Sequence, residues 1–201
     1  LPRTPATSSR SAPTPRGQAR RELLLDAASA LAAERGFHSV GILEIGAAAG
    51  VSGSAIYRHF ANKQDILVAL LERVIDALLA GAREVAATTT DAAVALDELV
   101  DRHVAFALAN RAVIAVYDQE SHNLPAEARS RLRRNQRSYA DVWTDTLLVV
   151  RPELDREAAA LAVHGAFGLI NSLSDHAPRL PESEVAGMLR TMTRAALRAG
   201  G

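Results

Sequence analysis

Cysteine is absent from this 201-residue chain, which excludes a disulfide framework, a thiolate nucleophile and a cysteine zinc site. No run of about 18 apolar residues occurs, so nothing reads as a membrane span. The N-terminal stretch also lacks the apolar core, about 7–15 residues long, of a secretory signal. A cytoplasmic protein without membrane attachment is the expectation. The chain opens on Leu1 rather than methionine, which leaves room for residues before it. Strand-like alternation never lasts beyond a few residues, and no internal repeat is present. The fold class read from that pattern is all-α.

Catalytic patterns are missing too. No Gly-x-Ser-x-Gly elbow surrounds a serine, and neither a His-Glu-x-x-His pair nor a Walker-type phosphate loop occurs. Glu120 with His122, and His164 with His176, come nearest to metal ligands, yet single histidines of helical proteins are ordinarily packed or solvated. No metal, cofactor or enzymatic activity is expected; a helical enzyme would need a nucleophile and base that the sequence does not assemble.

Net charge is the last thing lacking, and its absence hides an asymmetry. Lys and Arg number 23, as do Asp and Glu, while hydrophobic residues make up 48% of the chain and can fill a substantial core. Residues 1–63 carry eight basic and four acidic side chains; residues 64–201 carry fifteen and nineteen. A basic first third on an acidic remainder suits a nucleic-acid-binding head on a body that keeps away from the polyanion.

The stretch from Ile42 to Lys63 reads as two short helices around a tight turn. Glu44 to Ala49 forms the first, Gly50-Val51-Ser52 turns, and Ala55, Ile56, Tyr57 and Phe60 lie along the second. Glycine takes positive φ without steric cost, so Gly50 ends one helix. The Ser52 hydroxyl is placed to cap the next, and Val51 plugs the angle between them. Helix, glycine turn and capped helix make a helix-turn-helix, whose second helix enters the DNA major groove. An αα-corner without nucleic acid has the same geometry; what the second helix displays distinguishes the two. Gly53, Ser54 and Ala55 are small enough for close approach to base edges, Ala55 offering apolar contact to a thymine methyl. Arg58 is the candidate base contact, with Ser52, Tyr57, His59 and Lys63 for phosphates.

The string V-S-x-x-x-I-Y-x-x-F-x-x-K from Val51 to Lys63 resembles the DNA-reading segment of TetR-type transcriptional repressors, and Gly36-Phe37 and Ile66-Leu67 fit the same pattern. The detailed resemblance covers about residues 16–70. It implies a bacterial, dimeric, ligand-responsive repressor with a three-helix head and a helical body of about nine helices in all. The chain departs from the pattern at Gly41, where a capping threonine is usual, at Leu43, where a polar or basic residue is usual, and at Gly46 in place of alanine. Each glycine weakens its helix by up to about 1 kcal/mol.

In order, residues 1–15 form a Pro/Ser/Thr-rich tail without hydrophobic period, read as disordered. Arg10 and Arg16 could reach a minor groove, though a solvated tail is the plainer reading. Residues 16–63 make the head. Its first helix, Gln18 to Arg35, carries Leu24, Ala27, Ala28 and Leu31 at helical spacing and should brace the helix-turn-helix, with Arg20 or Arg21 near phosphate. Residues 64–201 make a ligand-binding and dimerisation body. Asn62 caps a long helix to about Ala87 that joins head to body. Further helices are expected from Asp91 to Asn110, Ala112 to Glu120, Pro125 to Val150, Asp155 to about Asp175, and Glu182 to about Ala199.

Polar residues fall on faces that otherwise look buried. His103 and Phe106 lie on the fifth helix, Tyr117 and Glu120 on the sixth, Gln136, Tyr139 and Trp143 on the seventh, and His164, Phe167 and Asn171 on the eighth. One reading is a core with a few satisfied polar groups; the other is a ligand cavity, which the resemblance favours. Leu161, Gly165, Gly168 and Ser172 form a second face of the eighth helix, and Val185, Met188, Leu189 and Met192 a stripe on the ninth. Together they predict a two-fold, four-helix homodimer contact. A dimer would set two reading helices roughly 34–36 Å apart and require a palindromic double-stranded DNA operator.

For the effector, the segment Ala115 to Glu120 and the arginines Arg129, Arg131, Arg133, Arg134 and Arg137 resemble repressors of lipid or sterol catabolism that answer to acyl-CoA thioesters; a solvated basic helix face explains the arginines equally well. The alternatives are a drug-efflux regulator responding to lipophilic compounds, or a helical interaction module without DNA binding.

Overall fold

A computed structural model describes residues 14–174 and 179–199. Among the described residues nine α-helices run in order: α1 (Pro15–Arg35), α2 (Ile42–Ala48), α3 (Gly53–Ile56), α4 (Lys63–Thr88), α5 (Ala92–Ala109), α6 (Arg111–Glu120), α7 (Ala126–Val150), α8 (Arg156–Asn171) and α9 (Glu182–Arg198). Tight helical turns at Phe37–Ser39, Ser121–Asn123 and Ser172–Ser174 complete the described residues, which contain no strand. Most of the expected tail, Arg10 included, lies outside the described residues, as do Asp175 and His176. The last two expected tail residues are structured: Thr14 caps α1, accepting from the Gly17 N–H, and Pro15 opens the helix.

Side-chain caps set three of the other starts. Asn62 accepts from the Asp65 N–H, Asp91 from Ala93 and Val94, and Asp155 from Ala158. α2 starts differently. Gly41 has no side chain to offer, and the Glu44 carboxylate reaches back to its N–H at 2.6 Å. A Cβ at position 41 would come within 3.2 Å of that carboxylate. The departure at Gly41 therefore moves the cap from residue 41 to Glu44. That bond, followed by the Arg35 guanidinium, holds the Glu44 pKa below the usual carboxylate range.

One continuous core, from Leu24 of α1 to Leu197 of α9, joins head and body. In the head, α1 packs on α2, α4 and α6. Leu25 and Ala32 join Leu24 and Ala28 on its buried face, whereas Ala27 and Leu31 stay half-buried. Arg73 of α4 ties the long helix to α1 through Glu22 and Asp26. At the far end, Arg190, Arg194 and Arg198 recur every fourth residue along α9 and reach Asp97 and Asp101 of α5 at 2.8–3.1 Å.

The stripe expected on α9 divides between two faces. Val185 and Leu189 are buried, together with Ala186, Thr193 and Leu197, and belong to the core rather than to an outer surface. Met188 and Met192 face outward, 54% and 50% exposed. On α8, Leu161 is 74% exposed, and a Cβ placed on Gly165 or Gly168 would meet nothing within 4 Å. Ser172, in the turn after α8, is exposed and donates to the Leu169 carbonyl. The outward surface is thus Leu161, Gly165, Gly168, Ser172, Met188 and Met192.

Candidate nucleic-acid interface and effector cavity

Gly50 sits at φ 64° between α2 and α3, and the Val51 N–H bonds the Gly46 carbonyl at 2.8 Å. Gly46 permits this closeness, because a Cβ there would stand 3.2 Å from the Val51 carbonyl. Val51 and Ile56 are buried and fix the angle between the two helices. α3 is shorter than its pattern suggests: regular α geometry ends at Ile56, and Arg58 and His59 continue in turns bonded to the carbonyls of Ala55 and Ile56. Ser52 occupies the N-cap position, but its hydroxyl makes no cap bond.

Ser52, Gly53, Ser54, Tyr57 and Arg58 share the exposed surface of this corner. Ala55 does not: it turns inward and is buried with Ile56, because the inner face of a one-turn helix carries adjacent residues. Its methyl is closed to a base. His59 is half-buried. Burial, with Arg58, Arg20 and Arg21 nearby, holds its pKa below the ordinary histidine value, so the ring adds hydrogen bonding but little charge. Arg21 lies over the Phe60 ring at 5.0 Å. Arg20 and Arg21 of α1 are therefore part of the same basic surface.

Lys63, expected to meet phosphate, is turned into the head. Its ammonium donates to the His38 carbonyl at 2.9 Å and rests over the Phe37 ring at 4.8 Å. Burial lowers its pKa, against the pull of Glu120 and Glu44. Its first role is to clamp the start of α4 onto the turn after α1.

Inside the body, a cavity of about 400 Å³ opens between α4, α5, α6, α7 and α8. Eight of the expected residues line it: His103, Phe106, Tyr117, Gln136, Tyr139, His164, Phe167 and Asn171. Leu71, Val74, Ile75 and Leu78 of α4 supply an apolar wall, and Arg133, Arg137 and Asp118 bring charge.

Two expected residues lie elsewhere. Trp143 is fully buried behind the lining, edge-on to His103, Tyr139 and Phe167 at ring separations of 5.1–6.1 Å. Glu120 ends α6 and points to the head, where its carboxylate meets His38 at 2.8 Å. Three expected arginines are also set apart: Arg129 bonds the His122 carbonyl, Arg131 pairs with Glu72, and Arg134 is exposed and outside the lining.

The polar floor of the cavity is a relay. His103 Nδ1 lies 2.8 Å from the Tyr139 hydroxyl and Nε2 lies 3.2 Å from Asn171 Oδ1. With Nε2–H donating to Asn171, Nδ1 accepts from the phenol. Burial lowers the His103 pKa to about 4 and pushes Tyr139 well above the usual phenol value. The floor is therefore neutral at pH 7, with polar groups but no charge. His103, Tyr139 and Phe167 stack within 6–23° of parallel and build a flat aromatic wall. Tyr117 donates to Gln136 at 2.9 Å across α6 and α7. Among the described residues no cluster of three or more metal-binding side chains occurs, and no helix is long and apolar enough to cross a membrane.

Residues 24–70 match the family model for bacterial regulatory proteins of the tetR family, and residues 89–175 match the tetracyclin repressor-like C-terminal domain. The chain is 43% identical over 77 residues to the transcriptional activator FasR of Mycolicibacterium smegmatis, across 38% of this chain and 35% of that protein. It is 30% identical over 129 residues to the transcriptional repressor KstR2 of Rhodococcus jostii, across 64% of this chain and 63% of that one. The matches thus span less than two thirds of each of these relatives. Among solved structures, FadR of Bacillus subtilis in complex with stearoyl-CoA superimposes with a TM-score of 0.68 at 19% identity, over 87% of this chain and 98% of that one. The head with its glycine turn and the helical body behind it are matched by separate models of one family, and the chain belongs to the TetR family of bacterial regulatory proteins.

Proposed function

We propose that the protein is a homodimeric transcriptional repressor that leaves a palindromic operator when an acyl-CoA or similarly amphipathic molecule enters its body. Residues 16–63 act as the DNA-binding head and residues 64–201 as the effector and dimerisation body. Arg58 reads a base edge, and Ser52, Ser54, Tyr57, His59, Arg20 and Arg21 hold phosphates. The exposed surface of α8 and α9 pairs two protomers. The carrying observation is that α4 both opens from the DNA-binding corner and walls the cavity with Leu71, Val74, Ile75 and Leu78. An effector that prefers one setting of α4 therefore shifts the population of head positions.

The lining supports an amphipathic effector: it combines apolar walls, a neutral floor and a charged portion made of Arg133, Arg137 and Asp118. The relative KstR2 is named a repressor, FasR an activator, and the FadR structure holds stearoyl-CoA. The first and last support repression and an acyl thioester. The largely apolar lining equally favours a second reading, a lipophilic compound without a CoA head.

Native mass spectrometry before and after denaturation tests the effector. A dimer that releases an acyl-CoA supports the reading; release of an uncharged lipophile selects the second one. Operator binding that no acyl-CoA reverses overturns the first.

A further inference from the structure

Between α4 and α5 lies a second cavity, of about 220 Å³, lined by Ala77, Leu78, Gly81, Ala82, Leu99, Arg102, Phe106 and Tyr139. Three of these, Leu78, Phe106 and Tyr139, also line the first cavity, so the two compartments stand back to back across one partition. Its members are not equally fixed. Tyr139 is buried and held by His103. Leu78 and Phe106 are half-buried, and as hydrocarbons they make no side-chain hydrogen bond that would resist a rotamer change.

A clasp of partly exposed ion pairs lies along the rim of the second cavity. Arg102 pairs with Glu84 of α4 at 3.0 Å and with Glu98 of α5 at 2.8 Å. Gly81 lies beneath it, where a Cβ would come within 3.5 Å of the guanidinium. Ala77, Gly81 and Ala82 leave room on α4 that larger side chains would fill.

We propose that the second compartment is a subsite for the distal apolar end of the effector, with Phe106 and Leu78 as the gate that sets ligand length. This rests on the effector reading above. The occupant follows from continuity: the compartment adjoins the first cavity through a hydrocarbon partition, and Arg102, its one charged lining residue, is already paired. An alkyl tail threading past Phe106 fits this chemistry; a charged end does not. Occupancy would also wedge α4 from α5 directly beneath the clasp, linking ligand length to strength of induction.

The test is calorimetric titration with saturated acyl-CoA thioesters from octanoyl to stearoyl, run beside n-alkanols of the same lengths. Phe106→Ala merges the compartments and should move the optimum to longer chains, each newly accommodated methylene adding about fourfold in affinity. Gly81→Leu fills the subsite without harming helix propensity and should move the optimum to shorter chains. Circular dichroism verifies that both variants fold. If the wild type binds neither series, the effector reading and the subsite fall together. If it binds and both folded variants keep its length optimum, the subsite alone is overturned.

Discussion

His38 Nε2 lies 2.8 Å from Glu120 Oε1, so the turn after α1 and the last residue of α6 meet in a side-chain contact between head and body. A second contact runs beside it, from Gln64 at the start of α4 to the Asn123 carbonyl. Tyr117 and Asp118, one turn back on α6, line the cavity. Head and cavity are thus joined through one short helix as well as through α4.

Glu120→Gln removes the charge and keeps the shape. His38 is 61% exposed, so the pair is worth no more than about 1 kcal/mol. The melting temperature should fall by no more than about 4 °C. Hydrogen exchange of residues 36–41 should nevertheless quicken, since local opening needs less energy than global unfolding. Unaltered exchange there would show that the pair does not restrain the head.

Arg58→Ala and Lys63→Ala should separate. Arg58 is exposed on the corner, and its loss should cost about 1–3 kcal/mol of operator binding and relax sequence preference at one position. Stability should hardly change. Lys63 clamps His38 and Phe37, so its removal should lower stability by about 1 kcal/mol. Anisotropy titrations with operator and scrambled DNA, paired with thermal melts, distinguish them. Equal losses on both DNAs from Arg58→Ala would remove its base-reading role.

His103 makes stability pH-dependent. Its pKa is about 4 in the folded chain against an ordinary 6.5. Between these values the unfolded chain binds more protons, so this contribution is intact above about pH 6.5 and is lost as pH falls toward about 4. The slope reaches about 1.4 kcal/mol per pH unit. His103→Leu should begin less stable, because Tyr139 and Asn171 lose a partner, yet decline less steeply. Urea unfolding across that range measures both slopes; parallel slopes would refute the assignment.

Local chemistry was legible in the sequence, and long-range chemistry was not. Gly50, Val51, Asn62, Asp91 and Asp155 announce turns and caps because their effects act within a few residues. The spacing of His164, Phe167 and Asn171 likewise found one wall of the cavity. Glu120 shares its helix with Tyr117, but its partner His38 stands 82 positions away; no helical period encodes that meeting. Val185 and Leu189 looked continuous with Met188 and Met192 because a stripe of that width covers both the inner and the outward side of α9. Ala55 turns inward because it shares the inner side of the corner with the buried Ile56 and Phe60. The basic surface from Arg20 and Arg21 was only half seen, its cue being two arginines one turn before Leu24.

Arg133 and Arg137 are the cationic part of the cavity lining. The double variant Arg133→Gln, Arg137→Gln should weaken acyl-CoA binding tenfold or more, as roughly expected for charge-assisted phosphate contacts, and leave alkanol binding unchanged. Calorimetry reads both. Equal losses for the two ligand types would assign the effect to altered packing.

Met188→Glu with Met192→Glu puts charge on the outward surface of α8 and α9. The protein should become monomeric by sedimentation and lose operator affinity while keeping its helical content, since neither side chain is part of the buried core. A persisting dimer would place the subunit contact elsewhere.

The arginine ladder from α9 to Asp97 and Asp101 bears on how that surface is presented. It restrains the rotation of α9 about its own axis, so in the proposed dimer Met188 and Met192 are aimed before the partner arrives. Pre-alignment spares the entropy of orienting a loose helix at the moment of contact. It also displaces the response to ionic strength. In the proposed dimer, Met188 and Met192 are uncharged and the ladder on the same helix is not, so raising the salt should act on association from within each protomer, by loosening the backing of the surface rather than by screening across it.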